Sequence, residues 1–265
     1  MKYKLYYINM DSHEDRRTFM EDGLAQANLS ATRIVGVNGR ALSDEEIETL
    51  APKEAVLATN KRIFLKGEVG CALSHRNIYD DIIKNNIPYA VIMEDDITIP
   101  TNFKNIVETL LHNHTIKNSW DYIAFDYTEP GLHYLRFWLR SIKIRVGHSS
   151  SFITSFSIIV SACIKGLYIF PLSLFEAIRN YLRRFYPGPV IFFRPLYLAG
   201  CYLITNKTAH ILRELNTPII YPADKVQNQA RIKRGLRLRA YAPLIIRQEK
   251  FVFGSIITGK NGKDL

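Results

Sequence analysis

Cysteine is scarce in this 265-residue chain, which has only Cys71, Cys163 and Cys201. Their separations fit neither a disulfide framework nor the close pairs of a zinc site. We interpret them as buried thiols of a protein from a reducing compartment, and we expect it to be cytoplasmic. The first residues, MKYKLYYINMDSHEDRR, favour the same compartment, because charged residues follow too early for the apolar core of a secretory signal.

A long uninterrupted apolar run is also missing. Residues 152–175 approach the roughly 20 residues that a membrane span requires, but Lys165, Gly166 and Pro171 interrupt them. We favour two buried elements or a membrane-surface segment there. The chain also lacks a phosphate-binding Gly-x-x-x-x-Gly-Lys-Ser/Thr loop and any helix-turn-helix, zinc or RNA-recognition signature. These absences count against two alternative functions, a metal-dependent nucleotidyltransferase and a basic nucleic-acid-binding protein.

Basic residues, by contrast, are in excess. The formal net charge is +10, with 35 Lys and Arg against 25 Asp and Glu. Such a charge attracts nucleic acid, an anionic membrane or a phosphorylated substrate. Either a polyanionic partner or a solvated basic face explains each of the two clusters that carry much of the excess, which are Arg136, Arg140, Lys143 and Arg145, and Arg231, Lys233, Arg234, Arg237 and Arg239.

Segments typical of strands alternate with segments typical of helices along the chain. Strands are predicted at KYKLYYINM, TRIVGVNG, YAVIMED and WDYIAFDY, and helices after Asp11-Ser12, from Ser43, over 68–84 and over 102–112. This alternation predicts a single α/β domain over 1–265, with a mainly parallel central sheet flanked by helices on both faces. Ligands of such sheets bind at the carboxyl ends of the strands.

The alternation is lost in the segment 131–195, which is rich in aromatic and basic residues. It includes RFWLRSIKIRVGH and RNYLRRFYPGPVIFFRP. Trp, Tyr and Arg suit surfaces that are both apolar and anionic. We interpret the segment as an aromatic/basic insert that faces an acceptor or a membrane, or else as a locally folded flap.

Three acids, Glu94, Asp95 and Asp96, interrupt the apolar stretch AVIMEDDITI. In extended backbone Glu94 and Asp96 point to one face and Asp95 to the other. Two carboxylates on one face can share a hard divalent cation such as Mn²⁺ or Mg²⁺. The alternative is a surface turn with solvated acids, although the apolar strand before them favours a functional role.

Four stretches occur in an order that resembles glycosyltransferase family 25: YYINMDSHEDRR, KGEVGCALSH, AVIMEDDI, and AGCYLITNKTAHIL followed by YPADKV. This family includes enzymes that extend bacterial lipooligosaccharide, with relatives among collagen galactosyltransferases. The resemblance implies a GT-A-like nucleotide-sugar-binding fold, a UDP-hexose donor that is most often UDP-galactose, and inversion to a β-linked product. It also implies a lipooligosaccharide acceptor at the anionic cytoplasmic face of the inner membrane. No nucleic-acid partner is expected.

The resemblance also suggests how the acids divide their roles. Glu94 and Asp96 would hold the Mn²⁺ or Mg²⁺ ion, while Asp95 would face the ribose or a nearby basic group. Ile8, Asn9 and the first arginine of the helix that follows, Arg16, lie where an α/β sheet receives a nucleotide. Arginine there can neutralise phosphate or stack on uracil.

An inverting transfer needs a base for the proton of the acceptor hydroxyl. Asp224 in YPADKV is our first candidate, with metal ligation or helix capping as its alternative roles. Glu68 is the second candidate. In GEVGCALSH, Gly67 lets backbone approach a ligand and His75 can bond donor or acceptor. The alternatives are that Gly67 only turns the chain into a helix and that His75 is a satisfied core histidine.

Overall fold

The strands of the described part of the chain lie in two sheets. The computed structural model describes residues 2–127, 160–161, 171, 174–192 and 195–249, so most of the 131–195 insert lies outside the described residues. The strands within these ranges are β1 (Lys4–Asn9), β2 (Thr32–Val35), β3 (Tyr89–Glu94), β4 (Ile97–Thr98), β5 (Tyr122–Ala124), β6 (Gly188–Ile191), β7 (Cys201–Thr205), β8 (Leu238–Ala242) and β9 (Arg247–Gln248).

Helices connect most of these strands. They are α1 (Glu14–Gln26), α2 (Asp44–Leu50), α3 (Lys53–Asn60), α4 (Lys66–Lys84), α5 (Phe103–His112), α6 (His114–Lys117), α7 (Asn206–Leu215) and α8 (Val226–Arg234), with a 3₁₀ turn at Gly39–Ala41. Residues 174–182 are also helical. In the described ranges no helix is both long and apolar enough to cross a bilayer, and most of the 152–175 candidate falls outside those ranges.

The central sheet has seven strands in the order β2-β1-β3-β7-β5-β8-β6. Five of them run in one direction, and β6 and β7 run antiparallel to their neighbours. The predicted mainly parallel sheet is therefore confirmed for the strand directions, with two reversed strands that the sequence pattern did not indicate. A second, two-stranded sheet pairs β4 with β9.

Helices cover both faces of the central sheet, as predicted. Alternation along β3 sends Ala90 and Ile92 into a core layer shared with α4, α7 and α8. Val91 and Met93 enter the opposite layer, which is shared with α1 and α5. Each of these four side chains is 0% exposed, so β3 lies in the centre of the protein and carries its acids to one edge of both layers.

The helix starts were predicted with mixed success. The capping box of Ser43 and Glu46 is confirmed at the start of α2. The predicted cap at Asp11-Ser12 is wrong, because α1 begins at Glu14 and its N-cap, His13, makes no side-chain cap bond. A turn closed by the His13 amide and the Met10 carbonyl takes up these residues, and the Asp11 carboxylate pairs with Arg33 instead.

The strand predicted at TRIVGVNG is shorter than expected and ends at Val35. The chain then crosses α4, where Gly39 meets the first turns of the helix. A Cβ at Gly70 would lie 2.6 Å from the Val37 carbonyl oxygen and the Gly39 nitrogen. A Cβ at Gly39 would lie 1.8 Å from the Lys66 carbonyl oxygen. Backbone therefore packs on backbone here, because neither residue has a side chain.

Gly70→Ala and Gly23→Ala form a matched pair of helix substitutions that test this packing. Gly23→Ala in α1 is expected to stabilise the protein by about 0.5–1 kcal/mol, because its Cβ would meet no atom closer than 3.9 Å. Gly70→Ala is expected to destabilise it by about 1–3 kcal/mol, because its Cβ would overlap backbone. Chemical denaturation measures both. Equal stabilisation by the two substitutions would contradict the contact.

Candidate active site

The acidic triplet lies at the carboxyl end of β3, where the strand gives way to a turn. Glu94 is the last residue of β3, and Asp95 and Asp96 form the turn before β4. Alternation continues as far as Asp95: Glu94 faces α4 and Asp95 faces α1. The triplet is therefore divided between the two faces of the sheet, as predicted for its first two members.

Asp95 is held by two neighbours, Asn9 at the end of β1 and Arg16 in α1. Its Oδ1 accepts a hydrogen bond from the Arg16 guanidinium at 2.8 Å, and its Oδ2 accepts one from the Asn9 amide at 2.8 Å. The three residues are only 1–4% exposed. Asp95 thus faces a basic group, one of the two roles expected for it, and contact of these side chains with a nucleotide would require them to move.

Asn9 uses its whole amide in this arrangement. The amide nitrogen donates to the His13 carbonyl as well as to Asp95, and the amide oxygen accepts from Arg33. Asn9 therefore fixes the end of β1 to the start of α1. Sequence reasoning did not identify Arg33, because nothing in TRIVGVNG distinguishes it from an ordinary surface arginine.

Asp96 is also buried, at 8% exposure. Its Oδ2 lies 3.4 Å from Arg16, so one guanidinium serves two adjacent carboxylates. Because the chain turns at Asp95 and Asp96, strict alternation no longer determines the direction of the Asp96 side chain. The expectation that Glu94 and Asp96 share a cation remains a prediction.

Glu94 faces α4 and the C-terminal part of the described chain. Its Oε1 lies 3.5 Å from His75 Nε2, and its Oε2 accepts a hydrogen bond from Gln248 at 2.9 Å. His75 Nδ1 is 2.7 Å from the Tyr202 hydroxyl, which in turn is 2.9 Å from the Tyr79 hydroxyl. His75 is buried and hydrogen-bonded, and it also reaches the acidic site.

Asp224 is partly buried in the turn before α8. The N-cap of α8 is Lys225, which makes no side-chain cap bond, so Asp224 is not the cap considered from the sequence. Burial raises the pKa of the Asp224 carboxyl, and the charges of Glu94 and Glu68 raise it further, against a lowering by Lys225. A higher pKa makes Asp224 a stronger base.

Glu68, the second candidate base, is held differently. Burial alone would raise its pKa, but hydrogen bonds from Arg62 and from the Leu65 amide outweigh burial and hold the pKa below its usual value. A carboxylate with a lowered pKa and a bound guanidinium is a poor proton acceptor. The geometry therefore favours Asp224 over Glu68.

The thiol of Cys71, one helical turn before His75, shows how the acids converge. Burial raises its pKa well above the usual value, and the charges of four carboxylates add to the effect in the order Glu94, Asp224, Glu68 and Asp96. Carboxylate oxygens are the donors that a hard divalent cation prefers, and their negative charge suits it. Glu94 and Asp96 are the members of this set expected to hold it.

Asp126 is a buried acid near Glu94 that sequence reasoning missed. Its carboxylate accepts hydrogen bonds from the amides of Gly200 and Cys201 at 2.9 and 2.8 Å. Burial, followed by the charge of Glu94, raises its pKa to about 7. The sequence signal that could have identified Asp126 is its position just after β5, at the end of a strand. No sequence signal indicates Gln248, because β9 has only two residues and shows no alternation of apolar and polar residues.

Two further predicted residues lie beside the triplet. Ile8 is opposite Glu94 in the parallel pairing of β1 with β3. Gly67 is the second residue of α4, so it lies where the chain enters the helix. No contact identifies either residue as ligand-binding, and their roles remain predictions.

The second basic cluster contacts the protein itself. Each of its members bonds a carbonyl, a hydroxyl or a carboxylate of the chain, and a polyanionic partner for the cluster stays a prediction. The pairs are Arg231 with Phe192, Lys233 with Tyr221, Arg234 with Glu214, Arg237 with Asp121, and Arg239 with Leu238. The first cluster, around Arg140, lies outside the described residues.

Comparison with known proteins agrees with this arrangement. The model of glycosyltransferase family 25, described as an LPS biosynthesis protein family, matches residues 2–227. The chain therefore belongs to glycosyltransferase family 25. The match includes β1, the acidic triplet, α4 and Asp224.

Curated relatives match less than half of the chain. Procollagen galactosyltransferase 1-A of Xenopus laevis is 32% identical over 126 residues, which are 45% of this chain and 20% of that protein. A glycosyltransferase 25 family member of Aedes aegypti is 30% identical over 124 residues, which are 46% of this chain and 20% of that protein. A relative from Bos taurus is named probable inactive glycosyltransferase 25 family member 3. It is 30% identical over 124 residues, which are 45% of this chain and 21% of that protein. The aligned part spans about a fifth of the length of these relatives.

A double-mutant cycle tests the buried contact of Arg16 with Asp95. Arg16→Met is expected to cost about 3–5 kcal/mol of unfolding free energy, because it leaves acids buried without their counter-charge. Arg16→Met combined with Asp95→Asn is expected to cost less than the sum of the single changes. Chemical denaturation measures the unfolding free energy of each single variant and of the double variant.

The matched control for this cycle is the Arg213–Asp80 pair, which has the same 2.8 Å separation but is about half exposed. Arg213→Met is expected to cost less than about 1 kcal/mol. Additive costs for Arg16 and Asp95, or equal costs for Arg16 and Arg213, would contradict the role assigned to the buried pair.

Proposed function

We propose that the protein is an inverting, metal-dependent hexosyltransferase with a GT-A-like fold. It transfers a hexose, which we propose is galactose, from its UDP-sugar to a lipooligosaccharide or lipopolysaccharide oligosaccharide and forms a β linkage. Family membership over residues 2–227 supports the reaction class, and relatives named galactosyltransferases support the donor sugar. The family's description as LPS biosynthesis proteins supports the proposed acceptor.

The observation that carries the proposal is the family match over residues 2–227, which includes the acidic triplet and Asp224. The Asp224 carboxyl has a raised pKa beside Glu94 and Glu68, near the carboxyl end of the strand that bears the acidic triplet. In the transfer, Asp224 takes the proton from the acceptor hydroxyl as that oxygen attacks the anomeric carbon from the side opposite the leaving UDP. The bond from the sugar to the diphosphate breaks as the new glycosidic bond forms.

Other side chains prepare the site for this step. Glu94 and Asp96 would hold Mn²⁺ or Mg²⁺, which when bound neutralises charge on the diphosphate leaving group. Arg16 pairs with both Asp95 and Asp96 and so holds the two carboxylates close together. Gln248 fixes one oxygen of Glu94, so that the other stays directed toward α4. We propose that the UDP-sugar lies at this edge of the sheet, next to Ile8 and Gly67.

UDP release from UDP-galactose, UDP-glucose and UDP-N-acetylglucosamine tests the reaction, with lipooligosaccharide as acceptor and with Mn²⁺, Mg²⁺ or chelator. We expect turnover of one sugar nucleotide, loss of turnover with chelator and in Asp96→Ala, and a decrease of about 10²–10⁴-fold in Asp224→Asn. Asp80→Asn changes a half-exposed acid of α4 that pairs with Arg213; it is the matched control and is expected to retain activity.

The pH profile separates a base from a merely structural acid. Because the pKa of Asp224 is raised, kcat/KM should fall on acidification at a higher pH than an ordinary aspartate, near 3.9, would give. Asp224→Asn should lose this acidic limb. Absence of binding or turnover for every UDP-sugar, even with acceptor present, would refute the transferase proposal.

We further propose that the protein works at the anionic cytoplasmic face of the inner membrane, where such an acceptor is anchored. The supporting surface is an apolar stripe of six side chains, each 51–78% exposed, that begins at helical spacing in the helix 174–182 and continues into the turn after it. It consists of Leu174, Ile178, Tyr181, Leu182, Phe185 and Tyr186. Arg183 and Arg184 lie along it, and the Arg184 guanidinium is 5.6 Å from the Tyr181 ring. Exposed aromatic and basic residues together suit an anionic lipid surface.

Co-sedimentation with vesicles tests the apolar stripe. We expect binding to phosphatidylcholine vesicles that contain phosphatidylglycerol, weaker binding without it, and release by salt. Tyr181→Ala with Phe185→Ala should reduce binding several-fold, whereas Ile232→Ala, a 71% exposed apolar residue on α8, should not. Equal binding to neutral vesicles, or no effect of the double change, would count against the membrane role.

A further inference from the structure

A second kind of cation site overlaps the acidic site on the α4 side of β3. Cys71 and His75 lie one turn apart on α4 and face Glu94. The Cys71 sulfur, a His75 ring nitrogen and a Glu94 carboxylate oxygen all lie within 4.8 Å of one another. We propose that these three side chains bind a thiophilic divalent cation, of which Zn²⁺ is the natural representative.

The hydrogen bonds around the trio fix the atoms that do not point into it. His75 Nδ1 is hydrogen-bonded to the Tyr202 hydroxyl at 2.7 Å, and the Tyr202 hydroxyl is hydrogen-bonded to the Tyr79 hydroxyl at 2.9 Å. Glu94 Oε2 is bound to Gln248 at 2.9 Å. Metal-ligating histidines and carboxylates are typically held in this way through their second polar atom.

The remaining atoms make poor hydrogen-bond partners for each other. His75 Nε2 and Glu94 Oε1 are 3.5 Å apart, which is long for a hydrogen bond between a ring nitrogen and a carboxylate. They nevertheless face each other, with the thiol of Cys71 beside them. Packing alone explains why a thiol and an imidazole are buried, but it does not explain why three different metal-ligating atoms converge on one point.

The donor set selects the class of metal. Thiolate and imidazole suit Zn²⁺ and related transition metals, whereas Mg²⁺ prefers oxygen donors. Bonds of about 2.0–2.3 Å place tetrahedral zinc ligands roughly 3.3–3.8 Å apart. The observed separations of up to 4.8 Å therefore need to close by about 1 Å, which rotation of the Cys71 side chain can provide. Three protein ligands leave a fourth position for water.

Binding is balanced by the loss of one proton. The Cys71 thiol gives up its proton to solvent as the sulfur bonds the metal, and no electrons are transferred. The nearby carboxylates of Asp224, Glu68 and Asp96, which disfavour the free thiolate, favour a dication at the same place. Their negative charge therefore opposes ionisation of the thiol alone but stabilises the metal complex.

The site has a consequence for transfer that rests on the proposed function. Glu94 belongs to both donor sets, so a thiophilic ion on Cys71 and His75 takes this carboxylate from the Mn²⁺ or Mg²⁺ ion. We expect Zn²⁺ to inhibit UDP release and excess Mn²⁺ to relieve the inhibition. Cys71→Ser should lose the sensitivity to Zn²⁺.

The binding test uses the full chain and does not depend on activity. After treatment with chelator, Co²⁺ is added and the thiolate-to-cobalt charge-transfer absorption is recorded, and Zn²⁺ affinity is measured by competition with a chromophoric chelator. We expect one thiolate-bound ion at this site per chain. Cys71→Ser should lose the absorption, and His75→Gln should weaken Zn²⁺ binding by about tenfold or more.

Two further variants make the result decisive. Cys201→Ser, which changes the other described free thiol, should leave the cobalt absorption unchanged. Tyr202→Phe should keep the absorption but weaken binding, because it removes the partner of His75 Nδ1. An absent thiolate band, or one that persists in Cys71→Ser, would overturn the site. Failure of transferase activity alone would overturn only the inhibitory consequence.

Discussion

The structure of the acidic site depends on one buried arginine side chain. Arg16 reaches from α1 to Asp95 and Asp96, and without it adjacent carboxylates would lie desolvated at the end of the central strand. Burial of an ion pair costs free energy unless the geometry and the remaining hydrogen bonds are good. Here Asn9 supplies the second bond to Asp95, and the same amide ties β1 to α1. The acidic turn, the first strand and the first helix are therefore parts of one polar structure.

The two faces of the sheet give the adjacent acids different chemistry. On the α1 side Asp95 is fully bonded and only 4% exposed, so it stabilises structure. On the α4 side Glu94 meets an imidazole, an amide and a thiol, and its charge raises the pKa of Asp224 and of Asp126. One strand thus places two consecutive acids in different surroundings, Asp95 against a guanidinium and Glu94 beside an imidazole and a thiol.

Much of this arrangement could be predicted from local pattern, and the failures have physical causes. The apolar run before Glu94, the helical spacing of α4 and the capping box at Ser43 are local signals, and all are confirmed. The reversed strand β7 and the contact from Gln248 are not local, since Gln248 lies 154 residues from Glu94. The raised pKa of Asp224 arises from its burial and from carboxylate charges brought near by folding, neither of which any stretch of sequence records.

The contact between Gly39 and Gly70 determines more than local packing. A helix turns by about 100° and rises 1.5 Å per residue, so a slip of α4 by one residue would carry Cys71 and His75 away from Glu94. Backbone atoms in direct contact leave no room for such a slip, because no side chain lies between them to adjust. The position of the α4 face that carries Cys71 and His75 is therefore determined by the turn at Gly39, a residue that has no metal-ligating or titratable side chain of its own.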